Sequence, residues 1–295
     1  MTPPRLNAFQ RNVYTQFGED GIIEEILNRV GHENLDGWCV EFGAWDGVHL
    51  SNTCNLIRNR NYKAVLIEGD ARKHKELCAN HPSDEIIKIC RFVTFDGEST
   101  LDRILEQTPI PRDFDFLSID IDGCDYFILD SLKAYQPKVV CIEFNPTIPN
   151  EVEFVQPKDF RIRQGCSARS LARLAREKGY SLAASTLCNL FFVSNRVRNS
   201  VIGPDEILIE ALIDDSQSRR YVFSGYDGTV FLDKPLDLPW HELQISPDAL
   251  QAIPKFLRKF RGDYNFFQRI AFWVFLVCRD PNRYLGTLRK RLFRN

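Results

Sequence analysis

Five short apolar runs, separated by stretches of helical length, constrain this chain more than any other feature: 38–42, 63–67, 86–93, 114–121 and 138–144. Phe116-Leu117-Ser118-Ile119 and Val139-Val140-Cys141-Ile142 are apolar on both alternations, the pattern of strands covered on both faces by helices. Strand and helix taken in turn predict a doubly wound α/β sheet of Rossmann-like type. Residues 180–185 and 190–194 read as an antiparallel pair that closes it. Ahead of the first strand, Ile22, Ile23, Ile26, Leu27 and Val30 share one helical face, and Gly31 stops that helix. The domain expected from this pattern spans 1–198. The extension 199–295 carries a short helix at 204–214, a hairpin turned around Asp227-Gly228 and an aromatic, basic helical tail.

Strand one runs into Glu41-Phe42-Gly43-Ala44-Trp45-Asp46-Gly47, with Ser51 or Asn52 to cap the next helix. Glycines in such a turn let backbone N–H groups approach a ligand. The spacing differs from Gly-x-Gly-x-x-Gly and puts a carboxylate where a pyrophosphate would want none. Glu41 suits a cationic or hydrogen-donating group, such as the amino-acid end of S-adenosylmethionine. Strand two closes on Glu68-Gly69-Asp70, and one carboxylate there can accept from two ribose hydroxyls. Alone, each half is ordinary turn or capping chemistry; together they read as a site for an adenosine cofactor without a diphosphate. Asp96 either accepts from an adenine amino group or makes a turn, and Trp45 either covers the cofactor or packs. Gln16, Glu19 and Asp20 form a polar cluster that helix capping accounts for.

Strand four ends in Asp120-Ile121-Asp122-Gly123 and strand five in Glu143-Phe144-Asn145-Pro146. If both strands continue, alternation brings Asp120 with Asp122, and Glu143 with Asn145, to one edge. These oxygens suit Mg²⁺ or Mn²⁺. The plainer reading makes Asp122-Gly123 a turn and Asp125 a helix cap. The general base is Asp122 or His49, the latter equally a wall residue.

These segments, with Gln16-Phe17-Gly18-Glu19-Asp20-Gly21, resemble the FkbM-type branch of the class I S-adenosylmethionine-dependent methyltransferases over roughly the first two thirds of the chain. The resemblance implies O-methylation of a sugar or natural-product hydroxyl. It implies Glu41 and Gly43 near the methionine part of the cofactor and Glu68 on the ribose. Gln16, Ala44, Trp45, Asp46, Gly69, Asp96 and Asp120 complete the expected cofactor set. The two strand ends are also similar to the metal site of catechol-type and macrolide-sugar O-methyltransferases, with Asp120 and Glu143 as ligands by position. Gly123 stands where the catechol enzymes carry their catalytic lysine. One rival is a nucleotide-sugar glycosyltransferase using Asp120-x-Asp122 with Mn²⁺, against which Glu41 would repel a diphosphate. Another is a non-catalytic, methyltransferase-like binding protein.

A net charge of -2 argues against a general nucleic-acid partner. The nine cysteines include no Cys-x-x-Cys pair, and Cys39, Cys90 and Cys141 lie in apolar runs where a thiol packs as a small hydrophobe. A reducing compartment and no structural zinc are expected. Residues 1–5 hold no apolar core for a signal peptide, so a cytoplasmic location is expected. The tail at 264–278 is apolar but shorter than the roughly 20 residues that span a bilayer. Arg279, Arg283, Arg289, Lys290, Arg291 and Arg294 follow or end it, against Asp280. Residues 253–295 therefore either pack, on the α/β domain or on a second copy in a homo-oligomer, or lie peripherally on the inner face of an anionic membrane. Packing is the simpler of the two. The acceptor, a glycan or small molecule, is not written in the sequence.

Overall fold

The apolar runs, apart from the half-buried third, bury on both faces. In the computed structural model, which describes residues 5–284, they form β1 (Trp38–Phe42), β2 (Lys63–Glu68), β3 (Ile86–Cys90), β4 (Phe116–Ile119) and β5 (Val139–Glu143), followed by β6 (Tyr180–Ser185) and β7 (Asn189–Ser194). The seven make one sheet in the order β3-β2-β1-β4-β5-β7-β6. β1 pairs in parallel with β2 and β4, whereas β7 runs antiparallel to β5 and β6. This is the doubly wound sheet with a closing antiparallel pair that the alternation predicts. Strand order reverses between β1 and β4, and in open α/β sheets ligands sit beyond the carboxyl ends of the strands at such a reversal.

Helices α1 (Glu19–Val30), α2 (Cys54–Arg60), α3 (Ala71–Asn80), α4 (Leu101–Leu105), α5 (Asp125–Ser131), α6 (Ala168–Glu177) and α7 (Arg198–Val201) accompany the strands. Period two divides β1 between two cores: Val40 and Phe42 pack with Leu117 and Ile142, and Cys39 packs with Leu66, Phe116 and the expected apolar face of α1. Burying one such Phe, Leu or Ile stabilises by about 1.5–3 kcal/mol. Cys39 and Cys141 are buried as expected, but Cys90 is exposed, because β3 is the edge strand and ends there.

Glu19 and Asp20 fasten the N-terminal segment rather than simply capping α1. One oxygen of Asp20 accepts from the N–H groups of Val13, Tyr14 and Thr15 and from the Thr15 hydroxyl. Glu19 accepts from Thr186 and Asn189 at the β6–β7 turn. The glycine at 21 is steric: a Cβ there would sit 2.0 Å from the Phe9 carbonyl oxygen.

The chain forms two compact units, Met1–Ser218 and Arg219–Asn295. Residues 199–218 stay with the α/β unit because Val201 and Ile209 are buried and Asp215 accepts from the Asn150 N–H. In place of the helix expected at 204–214 there is a single 3-10 turn, Ile209–Ala211. In the second unit, β8 (Val222–Ser224) and β9 (Val230–Leu232) form the hairpin around Asp227-Gly228, and β10 (Leu236–Leu238) pairs with β11 (Leu243–Ile245). Helix α8 (Phe266–Arg279) starts at a capping box between Asn265 and Gln268. The basic residues Arg289, Lys290, Arg291 and Arg294 lie outside the described residues.

Candidate active site

Two corners of the carboxyl edge bring candidate residues together. At the first, β1 turns on Gly43, whose φ is +69° and whose absent Cβ would lie 2.2 Å from the Asp120 carbonyl oxygen. No other residue fits that backbone conformation and that approach at once. Beside it lies a cavity of about 300 Å³ lined by Phe42, Gly43, Glu68, Gly69, Phe92 and Ile121 among others. Glu68 accepts the Trp45 N–H at 2.8 Å through one oxygen and the Asp70 N–H at 2.7 Å through the other. A carboxylate offers about four acceptor sites. Glu68 thus retains capacity for two hydroxyl donors.

Glu41 is placed differently from the expectation. Its carboxylate turns into the β1–α2 connection, accepting from the Ser51 hydroxyl at 2.6 Å, the Asn52 N–H at 2.8 Å and the Thr53 hydroxyl at 2.7 Å. Burial pushes this carboxyl above its usual range against the pull of those three donors. Shaping the turn takes three of the roughly four acceptor sites that a carboxylate offers, which leaves at most about one for a ligand.

At the second corner, Asp120, Asp122 and Glu143 each bring one oxygen within 4.8 Å of the others. Alternation is not the cause. β4 stops at Ile119, and Asp122 takes a left-handed φ of 56°. Buried Asp125 holds the turn by accepting the N–H groups of Ile121 at 2.9 Å and Gly123 at 2.8 Å. Its carboxyl is raised to about 6, by burial first, against the pull of the Gly123 and Ile121 N–H groups. The surrounding protein, then Asp125 and Asp122, push Asp120 up to about 7 although its side chain opens to solvent. Glu143 is raised too, by burial and then by Asp120. Crowded carboxylates with raised proton affinity are the donor set that a divalent cation would relieve.

The loop after β5 supplies what the sequence hid. Arg163 Nη1 lies 3.7 Å from Asp122 Oδ2, both side chains exposed. Gln156 pins the loop by accepting from Gln164 and Gly165 and donating to Ile162. Phe160 stacks on Phe95 and meets Phe92 edge-on, adding an aromatic wall beside the cavity. Neither contact leaves a sequence signal, since both depend on where a loop returns.

The remaining candidates are scattered. Asn145 Oδ1 accepts the N–H and hydroxyl of Thr147, and its amide donates to Gln164, so the side chain serves its own loop. His49 is exposed and meets Trp45 edge-on at 6.0 Å. Trp45 is also exposed, with Lys73 over its ring. Asp46 accepts the N–H groups of Val48 and His49 as a turn residue. Ala44 is buried, while Gln16 and Asp96 are exposed. None of these seven is among the residues that line the 300 Å³ cavity. A larger cavity of about 640 Å³ is lined by α6, β6 and the 206–210 segment, away from the strand ends. Its Arg169, Arg173 and Arg176 are already paired with Glu210, Glu153 and Glu206.

Solved structures offer loose likenesses to the chain. A candidate sarcosine dimethylglycine methyltransferase from Galdieria sulphuraria is 13% identical with a TM-score of 0.37, over 55% of this chain and 61% of that one. A candidate caffeoyl-CoA O-methyltransferase from Staphylococcus aureus is 9% identical with a TM-score of 0.40, over 64% and 88%. An O-methyltransferase from Bacillus cereus, in complex with S-adenosylhomocysteine, is 18% identical with a TM-score of 0.36, over 58% and 88%. Likenesses of that size say nothing about the reaction. No curated protein matches the sequence. Residues 97–182, running from the turn before α4 into β6, match the family described as the methyltransferase FkbM domain. That stretch of the α/β unit, set in a sheet of the order described above, is thus similar to the FkbM methyltransferase domain.

Proposed function

We propose that the α/β unit transfers the methyl group of S-adenosylmethionine to a hydroxyl of a glycan or small natural product, assisted by Mg²⁺ or Mn²⁺. The observation that carries this reading is the contact between the two corners: Gly43 lies against the Asp120 carbonyl, so the cofactor turn adjoins the acid cluster. Gly43 admits the amino-acid end of the donor, and Glu68 accepts from its ribose hydroxyls. Asp120, Asp122 and Glu143 would hold the cation, which would lower the pKa of an acceptor hydroxyl and orient it. The hydroxyl oxygen forms a bond to the methyl carbon as the carbon–sulfur bond breaks, and the electron pair stays on sulfur as a thioether. The proton released passes to Asp122, exposed at the tip of its turn. A cytoplasmic location belongs to the same proposal.

Calorimetry with S-adenosylhomocysteine and with UDP, each with and without Mn²⁺, tests it. S-adenosylhomocysteine should bind, and Glu68→Ala should weaken it at least about tenfold, as expected when hydrogen bonds to a charged acceptor are lost. UDP binding together with silence toward S-adenosylhomocysteine would transfer the assignment to a glycosyltransferase. Donor binding and turnover indifferent to Mn²⁺, Mg²⁺ and chelator would remove the cation.

A further inference from the structure

Charge is divided unevenly along this chain. Residues 253–295 hold eleven Lys or Arg against two Asp, whereas the other residues hold twenty-seven Lys or Arg against thirty-eight Asp or Glu. The same segment contains α8, no residue of which is buried. One side of the helix does pack: Phe272 meets buried Tyr264 edge-on at 5.4 Å, and the Tyr264 hydroxyl donates to the Leu257 carbonyl. The other side presents Phe266, Phe267, Ile270, Trp273 and Val274, with Phe267 78% exposed. Their spacing is that of a single helical face. No polar residue interrupts it; Lys255, Lys259, Arg261, Arg269 and Arg279 are exposed as well, Arg261 over the Phe272 ring and Arg279 over that of Phe275.

We infer that this face of α8 docks on an anionic lipid bilayer, lying in the interface with its aromatics among the acyl chains and the basic residues at the headgroups. Charge selects this occupant over a second copy of the chain: two copies would bring like charge together, whereas an anionic leaflet is complementary. Length agrees, since a helix of 14 residues extends about 21 Å and cannot cross a hydrocarbon core of about 30 Å. No described helix is long and apolar enough to span a membrane. Aromatic bulk on one side and arginine on the other is the composition of a helix that lies on a membrane.

The test is flotation of the full chain with vesicles of phosphatidylcholine alone and of phosphatidylcholine with a third phosphatidylglycerol, at low and high salt. The chain should float with the anionic vesicles and not the neutral ones, and high salt should release it. Phe267→Glu with Trp273→Glu should cut binding at least about tenfold, while S-adenosylhomocysteine affinity stays unchanged. That readout keeps this inference separate from the proposed reaction. The single change Trp273→Ser serves if the double variant fails to fold. Absence of wild-type binding, or equal binding by the variants, would overturn the proposal. So would a stable dimer dispersed by the same substitutions without any vesicle binding, which would mean that a second copy covers the face.

Discussion

The two corners of the carboxyl edge are both acidic, yet their acids are in opposite states. At the first, Glu41 and Glu68 are met by backbone N–H groups and hydroxyls. At the second, Asp120, Asp122 and Glu143 face one another, with exposed Arg163 approaching Asp122 at 3.7 Å. A buried carboxylate met by three donors, as Glu41 is, acts as a girder. Carboxylates surrounded by carboxylates store unfavourable charge that a bound cation removes. The difference separates Glu41, taken up in shaping its turn, from Glu68, which keeps acceptor sites, and from the crowded acids of the second corner.

The contrast breaks first at Gly43. Gly43→Ala should cost about 3 kcal/mol or more in urea unfolding and abolish S-adenosylhomocysteine binding, since the added methyl meets the Asp120 carbonyl in a left-handed conformation. Near-normal stability would mean that the two corners are not tightly apposed. Next is Glu41→Ala, which strands two hydroxyls and an N–H in a buried place and should destabilise by about 2–4 kcal/mol. Were stability kept and cofactor affinity lost, Glu41 would be a ligand-binding acid after all.

Asp120→Asn sharpens the other side of the comparison through pH. The Asp120 carboxyl titrates near 7 in the folded chain against 3.8 for its ordinary value, so the folded state keeps its proton longer. Cation-free stability therefore falls as pH rises from about 4 toward 7, and the cost is complete above that. Melting temperatures at about pH 5 and about pH 8 should show a smaller decline in the variant than in wild type, and Mn²⁺ should raise wild type alone. Identical slopes would mean that the acids do not strain one another. The smallest effect belongs to Arg163→Gln, within about 0.5 kcal/mol because the pair is exposed and long. A larger loss would show that Arg163, rather than a cation, balances the cluster.

The strands were legible because each needs two apolar faces, which period two writes directly into runs such as 116–119 and 139–142. The acid cluster was legible in its members and not in its cause. Alternation was expected to bring Asp120 and Asp122 together, yet the turn held by Asp125 does so after the strand has ended. Glu41 and Asn145 were recognised as polar groups at strand ends, but their partners, Ser51 to Thr53 and Thr147 with Gln164, depend on the path of the connecting loops.

What the chain's letters alone determined is the layered α/β architecture, its order of elements and the edge where ligands would sit, because backbone hydrogen bonding and burial obey short periods. Tertiary structure alone decided which acids are consumed by the frame and which remain open. That choice turns on distances between residues far apart in sequence, such as Gly43 and Asp120, and on whether a carboxylate meets a donor or another carboxylate. No local pattern encodes that meeting.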